Sequence, residues 1–235
     1  MCVGNNFTIE KCVNYGYISG NGNKGGIIAC VNGSGKIISC KNYGEVIGGG
    51  IINHHRDKEV EIINCINYGK VQGGIVNISQ GAYWSAELKL SIVNCCNLGE
   101  VSANGFTGGI ISSKGTVCAK NITIIKNCFN SGNITSAKNN AAKSIIANIS
   151  CDTAEKYYHE LYNVYGTGEL MGTVSKPNYN RGEAIQKTLE EMQNQDFVNK
   201  LNIYVNTYNE EHKNDEGFIE LKRWKYNAGS YPTFE

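Results

Sequence analysis

The chain has 235 residues and a net charge of +1, so it can bury a sizeable core, and no global field directs it to nucleic acid, a membrane surface or an acidic substrate. Glycine is abundant at 28 and proline scarce at 2, in a sequence rich in isoleucine and valine. A flexible linker would lack those β-branched residues, so the glycines mark tight turns between short strands.

From the N-terminus onward the sequence repeats. Aligned on cysteine, five copies read IEKCVNYGYI (9–18), IISCKNYGEV (37–46), IINCINYGKV (62–71), IVNCCNLGEV (92–101) and IKNCFNSGNI (125–134), and a degraded sixth reads LYNVYGTGEL (161–170). A second element follows most copies: Gly25-Gly26-Ile27-Ile28, Gly49-Gly50-Ile51-Ile52, Gly73-Gly74-Ile75-Val76 and Gly108-Gly109-Ile110-Ile111. Length varies between these elements, as it does when insertions loop out of a regular scaffold. Cys2 precedes Cys12 by the same ten residues that separate Cys30 from Cys40, so the sequence is expected to be part of a longer repeat chain. The start, MCVGNNFTIEKC, holds no apolar signal-peptide core, and no run of 18 apolar residues crosses a membrane.

With the shared cysteine as position zero, isoleucine fills −3, asparagine fills +2 in all five clear copies, glycine fills +4, and Ile, Val or Leu fills +6. Positions 0, +2 and +6 share parity and face one interior, while +1, +3 and +5 face outward. The −3 isoleucine is out of phase, which predicts a bend or bulge just before the cysteine. Glycines and the missing i, i+3, i+4 spacing exclude helical repeats. The predicted fold is therefore all-β: a parallel β-helix, or β-solenoid, of about six coils over residues 1–176. Stacked coils would place the asparagines in a row, each bonding its neighbours above and below.

Ten cysteines raise the question of disulfides or metal, but the main row has spacings of 25 to 36 residues and no C-x₂-C pair. Val164 replaces the thiol in the sixth copy, so the row reads as buried packing. Cys30, Cys118 and Cys151 lie off that row and are the candidates for disulfides. Adjacent residues of a strand diverge, which separates Cys95 from Cys96.

Residues 177–235 read as a small α+β cap on the open end of the solenoid, which would otherwise expose core and strand edges. Ile185, Leu189 and Met192 have helical spacing; a second helix has Asp196 as N-cap and Phe197, Leu201 and Tyr204 or Val205 on one face. The alternation in FIELKRW (218–224) predicts a strand, and Trp224, Tyr231 and Phe234 read as packing residues.

Catalytic chemistry finds little support. With seven acids in the first 150 residues, a glycosidase-like acid pair is hard to assemble, and no phosphate-binding loop follows the Gly-Gly elements. No catalytic, cofactor-binding or metal-ligating residue is assigned, and no cofactor is expected. His54 and His55, in the dense cluster His54-Arg56-Asp57, are read as a solvated loop between repeats; Tyr83 and Trp84 lie in the insertion QGAYWSAE (80–87). These four are the candidate ligand contacts, since an aromatic pair can stack on a sugar or a protein.

The pattern I-x-N-C-x-N-x-G-x-V followed by Gly25-Gly26-Ile27, Gly49-Gly50-Ile51, Gly73-Gly74-Ile75 and Gly108-Gly109-Ile110 resembles the GLUG-motif repeats of bacterial secreted and cell-surface proteins. Here the element reads Gly-Gly-Ile-Ile where that family has Gly-Leu-hydrophobic-Gly. The family is found in adhesin-like proteins and in non-catalytic parts of IgA-peptidase-type enzymes. The resemblance implies an extracellular or cell-surface, non-enzymatic module, presenting an adhesive surface to a host glycan or protein, or serving as a stalk. The alternatives are a carbohydrate-active enzyme on a parallel β-helix and a purely structural spacer.

Overall fold

The structure, a computed structural model, describes residues 2–81, 87–116, 120–151, 157–172 and 179–235. Short β-branched strands are joined by turns at asparagine and glycine, and equivalent slots of successive copies pair in parallel. Ile9 faces Ile37, which faces Ile62, and the row continues through Ile92, Ile125 and Leu161. One wall is a six-stranded sheet of Cys2–Val3, Ile28–Val31, Ile52–His55, Val76–Gln80, Ile111–Thr116 and Ile146–Cys151. A second wall carries the longest strands, among them Lys58–Ile63, Leu88–Val93, Asn121–Asn130 and Tyr157–Gly166; a third stacks Val46–Gly49, Val71–Gly73, Val101–Ala103 and Ile134–Ser136. The isoleucine and cysteine rows fill the space between the walls. This is an all-β fold of the β-helix type.

The bend before the cysteine is present and has a specific backbone form. Lys11, Ser39, Asn64, Asn94, Asn127 and Asn163, all at −1, have φ between 53° and 57°. Asparagine tolerates this left-handed region better than other side-chain-bearing residues. One such residue turns the strand so that −3 and 0 both point inward. At +4 the reason for glycine is proximity: a Cβ on Gly69 would lie 2.0 Å from the Gly44 carbonyl oxygen, and one on Gly99 2.0 Å from that of Gly69.

The +2 asparagines form the expected ladder. Asn14 Nδ2 donates to Asn42 Oδ1 at 2.7 Å, Asn42 to Asn67 at 2.7 Å, Asn67 to Asn97 at 2.6 Å, and Asn97 to Asn130 at 2.7 Å. Each amide also donates to the carbonyl of its own +4 glycine. Asn130 continues the chain to Ser144 Oγ at 2.9 Å.

The cysteines do more than pack. The Cys40 amide donates to Cys65 Sγ at 3.4 Å, Cys65 to Cys95 Sγ at 3.2 Å, and Cys95 to Cys128 Sγ at 3.3 Å. At the bend the backbone ladder is interrupted, and the thiol of the next copy supplies the missing acceptor. Cys65 Sγ in turn donates to the Ile63 carbonyl at 3.4 Å. Cys65→Val is therefore expected to fold while losing about 1–3 kcal/mol, because the packing survives and the Cys40 amide is orphaned. Urea unfolding checks this; an unchanged midpoint would show that the sulfur bond contributes nothing. Cys30 is buried with its sulfur 3.4 Å from Asn32 Oδ1, Cys118 lies outside the described residues, and the side chain of Cys151 does too.

The C-terminal region covers the edge of the last long strand and also runs along the flank of the coils. Residues 173–178, which span the expected boundary, lie outside the described residues, and parallel pairing continues past them. Tyr179–Arg181 and Ala184–Gln186 pair with Tyr157–Gly166 and cover its free edge. Ile185 thus belongs to a strand, and the first helix is one turn, α1 (Leu189–Met192), closed by a capping box between Thr188 and Glu191. The second helix, α2 (Gln195–His212), has Asn194 rather than Asp196 as N-cap.

Helix α2 lies along the side of the solenoid, over the second wall. Phe197, Val198, Leu201 and Val205 bury Ile63, Ile66, Cys96, Phe129 and Tyr165, the outward residues of four successive copies. The outward +1 slot, expected in solvent, is thus dry in these copies. Cys95 and Cys96 do diverge, the former into the solenoid core and the latter beneath α2. Residues 218–223 form no ladder, and only Trp224–Lys225 pairs, antiparallel, with Thr233–Phe234. Trp224 is fully buried against Phe129 and Phe234, the packing role expected of it.

A second asparagine ladder ties this segment down. Asn94 Nδ2 donates to Asn64 Oδ1 and Asn127 Nδ2 to Asn94 Oδ1, both at 2.7 Å, and Asn163 continues to Asn127. Asn64 bonds the Glu220 carbonyl and the Lys222 amide; Asn94 bonds the Lys222 carbonyl and Trp224 Nε1; Asn127 bonds the Leu201 carbonyl. The −1 slot is asparagine in the copies that the segment crosses, and Lys11 or Ser39 in the two before them.

A groove between the solenoid wall and helix α2

The long strands of the second wall alternate. Val60, Ile62, Leu90 and Ile92 point inward, while Glu59, Glu61, Lys89 and Ser91 point outward. Beside them α2 has two working faces. Phe197, Leu201 and Val205 bind the wall, and the next stripe, Lys200, Tyr204, Tyr208 and His212, follows at fourfold spacing. Between that stripe and the outward residues of the wall lies an open groove of about 790 Å³. Glu61, Lys126, Glu160 and Tyr162 line it from the wall.

Its aromatic rail is continuous. Ring centroids are 5.7 Å apart for Tyr162 and Tyr204, 6.2 Å for Tyr204 and Tyr208, and 4.5 Å for Tyr208 and His212. Tyr162 is 60% exposed, which leaves ring surface free for a ligand. Burial holds the Tyr204 and Tyr208 phenols above their ordinary range, and for Tyr208 the Glu61 and Asp215 carboxylates add to the effect. Both are therefore neutral hydroxyls at physiological pH, able to donate and to accept. Charged side chains cross between copies as ion pairs: Lys36 with Glu61 at 3.3 Å, Lys89 with Glu59 at 2.6 Å, and Lys126 with Glu160 at 2.9 Å.

Of the residues singled out from sequence, His54 and His55 lie elsewhere. His54 and His55 are not in a solvated loop but in the strand Ile52–His55, where His54 pairs with Cys30 and Ile78 and His55 with Val31 and Ser79. His55 is completely buried, its ring nitrogens against Ser79 Oγ at 3.4 Å and the Lys58 carbonyl at 3.2 Å, so it offers no surface to a ligand. Burial lowers it to about 4, keeping the ring neutral. His54 is half-buried and accepts from Arg56 Nε at 3.2 Å. Among the described residues no three metal-ligating side chains gather. Tyr83 and Trp84 lie outside the described residues. A buried polar corner, missed from sequence, joins Lys114 to Thr123 and to the Tyr158 carbonyl at 3.2 Å; Lys114 is fully enclosed there.

No family model and no curated protein sequence matches the chain. Among solved structures, a crystal structure from Bacteroides ovatus described as a "putative immunoglobulin A1 protease" is similar, with a TM-score of 0.56 and 19% identity over 98% of this chain and 74% of that one. At that identity the likeness is one of fold.

Proposed function

We propose that this chain is a non-catalytic, ligand-binding module of a secreted or cell-surface bacterial protein, built on about six β-solenoid coils and contacting its partner through the groove beside α2. The observation that carries this reading is the groove itself: a concave surface of ligand-sized volume, with an uninterrupted aromatic rail. The GLUG-like repeat pattern and the β-helix likeness to a bacterial protein described as a protease of an immunoglobulin support an extracellular, adhesin-like setting. Wild-type chain immobilised on a sensor should capture a ligand from a panel of glycans and extracellular host proteins. Tyr162→Ala combined with Lys200→Ala should weaken that capture about tenfold or more, while Tyr17→Ala, outside the groove, leaves it unchanged. Capture insensitive to the groove variants would refute this surface.

One feature favours the carbohydrate-active enzyme as a second reading. Glu59 and Glu61 lie two residues apart on one strand face, roughly 7 Å by strand geometry, beside Lys36 and Lys89. That spacing is near what an inverting glycosidase uses. Both carboxylates are paired with lysines on an open surface, an arrangement better suited to registering copies than to handing over a proton. Turnover of a polysaccharide that disappears in Glu61→Gln would establish the enzyme reading.

A further inference from the structure

We infer that the ligand of the groove is a neutral glycan, unbranched on the side that faces α2, lying parallel to the solenoid axis, an inference that rests on the binding-module reading above. Three observations lead to it.

First, the groove is longer than its main cavity. A second cavity of about 130 Å³ shares Glu61, Tyr208 and His212 with the first, and a third of about 310 Å³ shares Lys36 and Glu61 with the second. Together they follow a single outward row, Thr8, Lys36, Glu61, Ser91, Ile124 and Glu160, in which each residue pairs in register with the next. Five inter-strand steps span roughly 24 Å. A surface of that length, open along its whole side, fits a polymer better than a compact small molecule.

Second, the surroundings disfavour other polymers. The strands beneath the groove between Lys36 and Ile124 are paired on both sides, so an extended peptide finds no free edge and its backbone groups find no ladder. A nucleic acid needs excess cations along its phosphates. Here Lys36 and Lys126 are each matched by a carboxylate, Glu61 and Glu160, within ion-pair distance.

Third, the side chains match sugar chemistry. A sugar hydroxyl both donates and accepts, and each Lys–Glu pair presents a donor beside an acceptor. The phenols of Tyr204 and Tyr208 do both. Tyr162 offers a ring surface to the C–H face of a pyranose. Because α2 walls one side of the main cavity, a branch pointing toward it would collide, which selects a chain without branches on that side.

The test uses the whole chain and length series of β-1,4-linked glucose, mannose, xylose and N-acetylglucosamine oligomers, with sulfated and branched counterparts, in calorimetric titration. Affinity for at least one neutral linear series should rise with length until the oligomer spans the groove, and sulfated or branched forms should bind at least about tenfold more weakly. Tyr162→Ala should cost about tenfold or more, with an unchanged melting temperature as the control for folding. Groove-dependent binding of a host protein with no glycan binding would overturn the glycan inference and leave the binding-module reading standing. Glycan binding indifferent to Tyr162→Ala and Lys200→Ala, or no binding to any probe, would overturn both.

Discussion

Asn67→Asp is expected to destabilise the chain more severely than Asn67→Ala, although aspartate is the closer isostere. Asn67 is completely buried in the middle of the +2 ladder and spends its amide donors on Asn97 Oδ1 and the Gly69 carbonyl. Its oxygen accepts from Asn42 at 2.7 Å. Alanine removes the side chain and leaves these partners unsatisfied, at about 1–3 kcal/mol each. Aspartate keeps the acceptor but turns two attractive contacts into oxygen against oxygen, with a charge taken out of water. That cost approaches the whole stability of an ordinary domain, about 5–15 kcal/mol. Asn14→Asp, at the exposed end of the ladder, should cost far less, because solvent reaches the carboxylate there. Guanidinium unfolding of the three variants separates the cases. An Asn67→Asp midpoint close to that of wild type would mean that the ladder is not a structural spine.

The repeat makes this ladder legible in the sequence alone. A slot that is asparagine in all five clear copies, at the parity of buried cysteine and valine, has few physical explanations, and stacking satisfies all of its polar groups at once. The −3 isoleucine was likewise informative, since its wrong parity demanded the bend found at Lys11, Ser39, Asn64, Asn94, Asn127 and Asn163. The C-terminal arrangement was less legible because its signals are not repeated. Ile185, Leu189 and Met192 have helical spacing, yet Ala184–Gln186 pairs with Val164–Gly166 because an open strand edge competes for it. His54 and His55 read as a loop because they fall in a variable insertion after Gly-Gly-Ile-Ile-Asn; in register with Cys30-Val31 and Ile78-Ser79 they are simply the next residues of a strand.

Two signals for the groove were nevertheless present. The −1 slot changes from Lys11 and Ser39 to Asn64, Asn94, Asn127 and Asn163, marking which copies would be covered. In α2, Tyr204, Tyr208 and His212 form a second stripe beside Phe197, Leu201 and Val205. A helix with one apolar stripe packs once; a helix with an adjacent aromatic stripe has a second surface to offer. Where that surface would lie depended on α2 running along the flank rather than across the end, which no local pattern encodes.

Truncation after Gln186 should convert the chain into an aggregating species that binds hydrophobic dyes, and it separates two roles of the C-terminal region. Such a chain keeps Tyr179–Arg181 and Ala184–Gln186, so the terminal strand edge stays covered. What it loses is the brace: Ile63, Ile66, Cys96, Phe129 and Tyr165 become a contiguous apolar strip on an exposed sheet face. If the region served only as an end cap, this truncation would remain a soluble monomer with near-native melting, and that result would refute the brace. Trp224→Ala grades the same effect. It leaves a cavity beside Phe129 and Phe234, at about 3–5 kcal/mol, and removes one of the two donors on Asn94 Oδ1. Because Asn202 fixes α2 to the backbone of Trp224 through both its amide and its carbonyl oxygen, loosening that strand also loosens the helix that carries Tyr204 and Tyr208. Trp224→Ala should therefore weaken ligand binding without touching the groove, whereas Tyr162→Ala should weaken binding without changing stability. Observing the two effects in that crossed pattern would tie the brace and the binding surface to one helix.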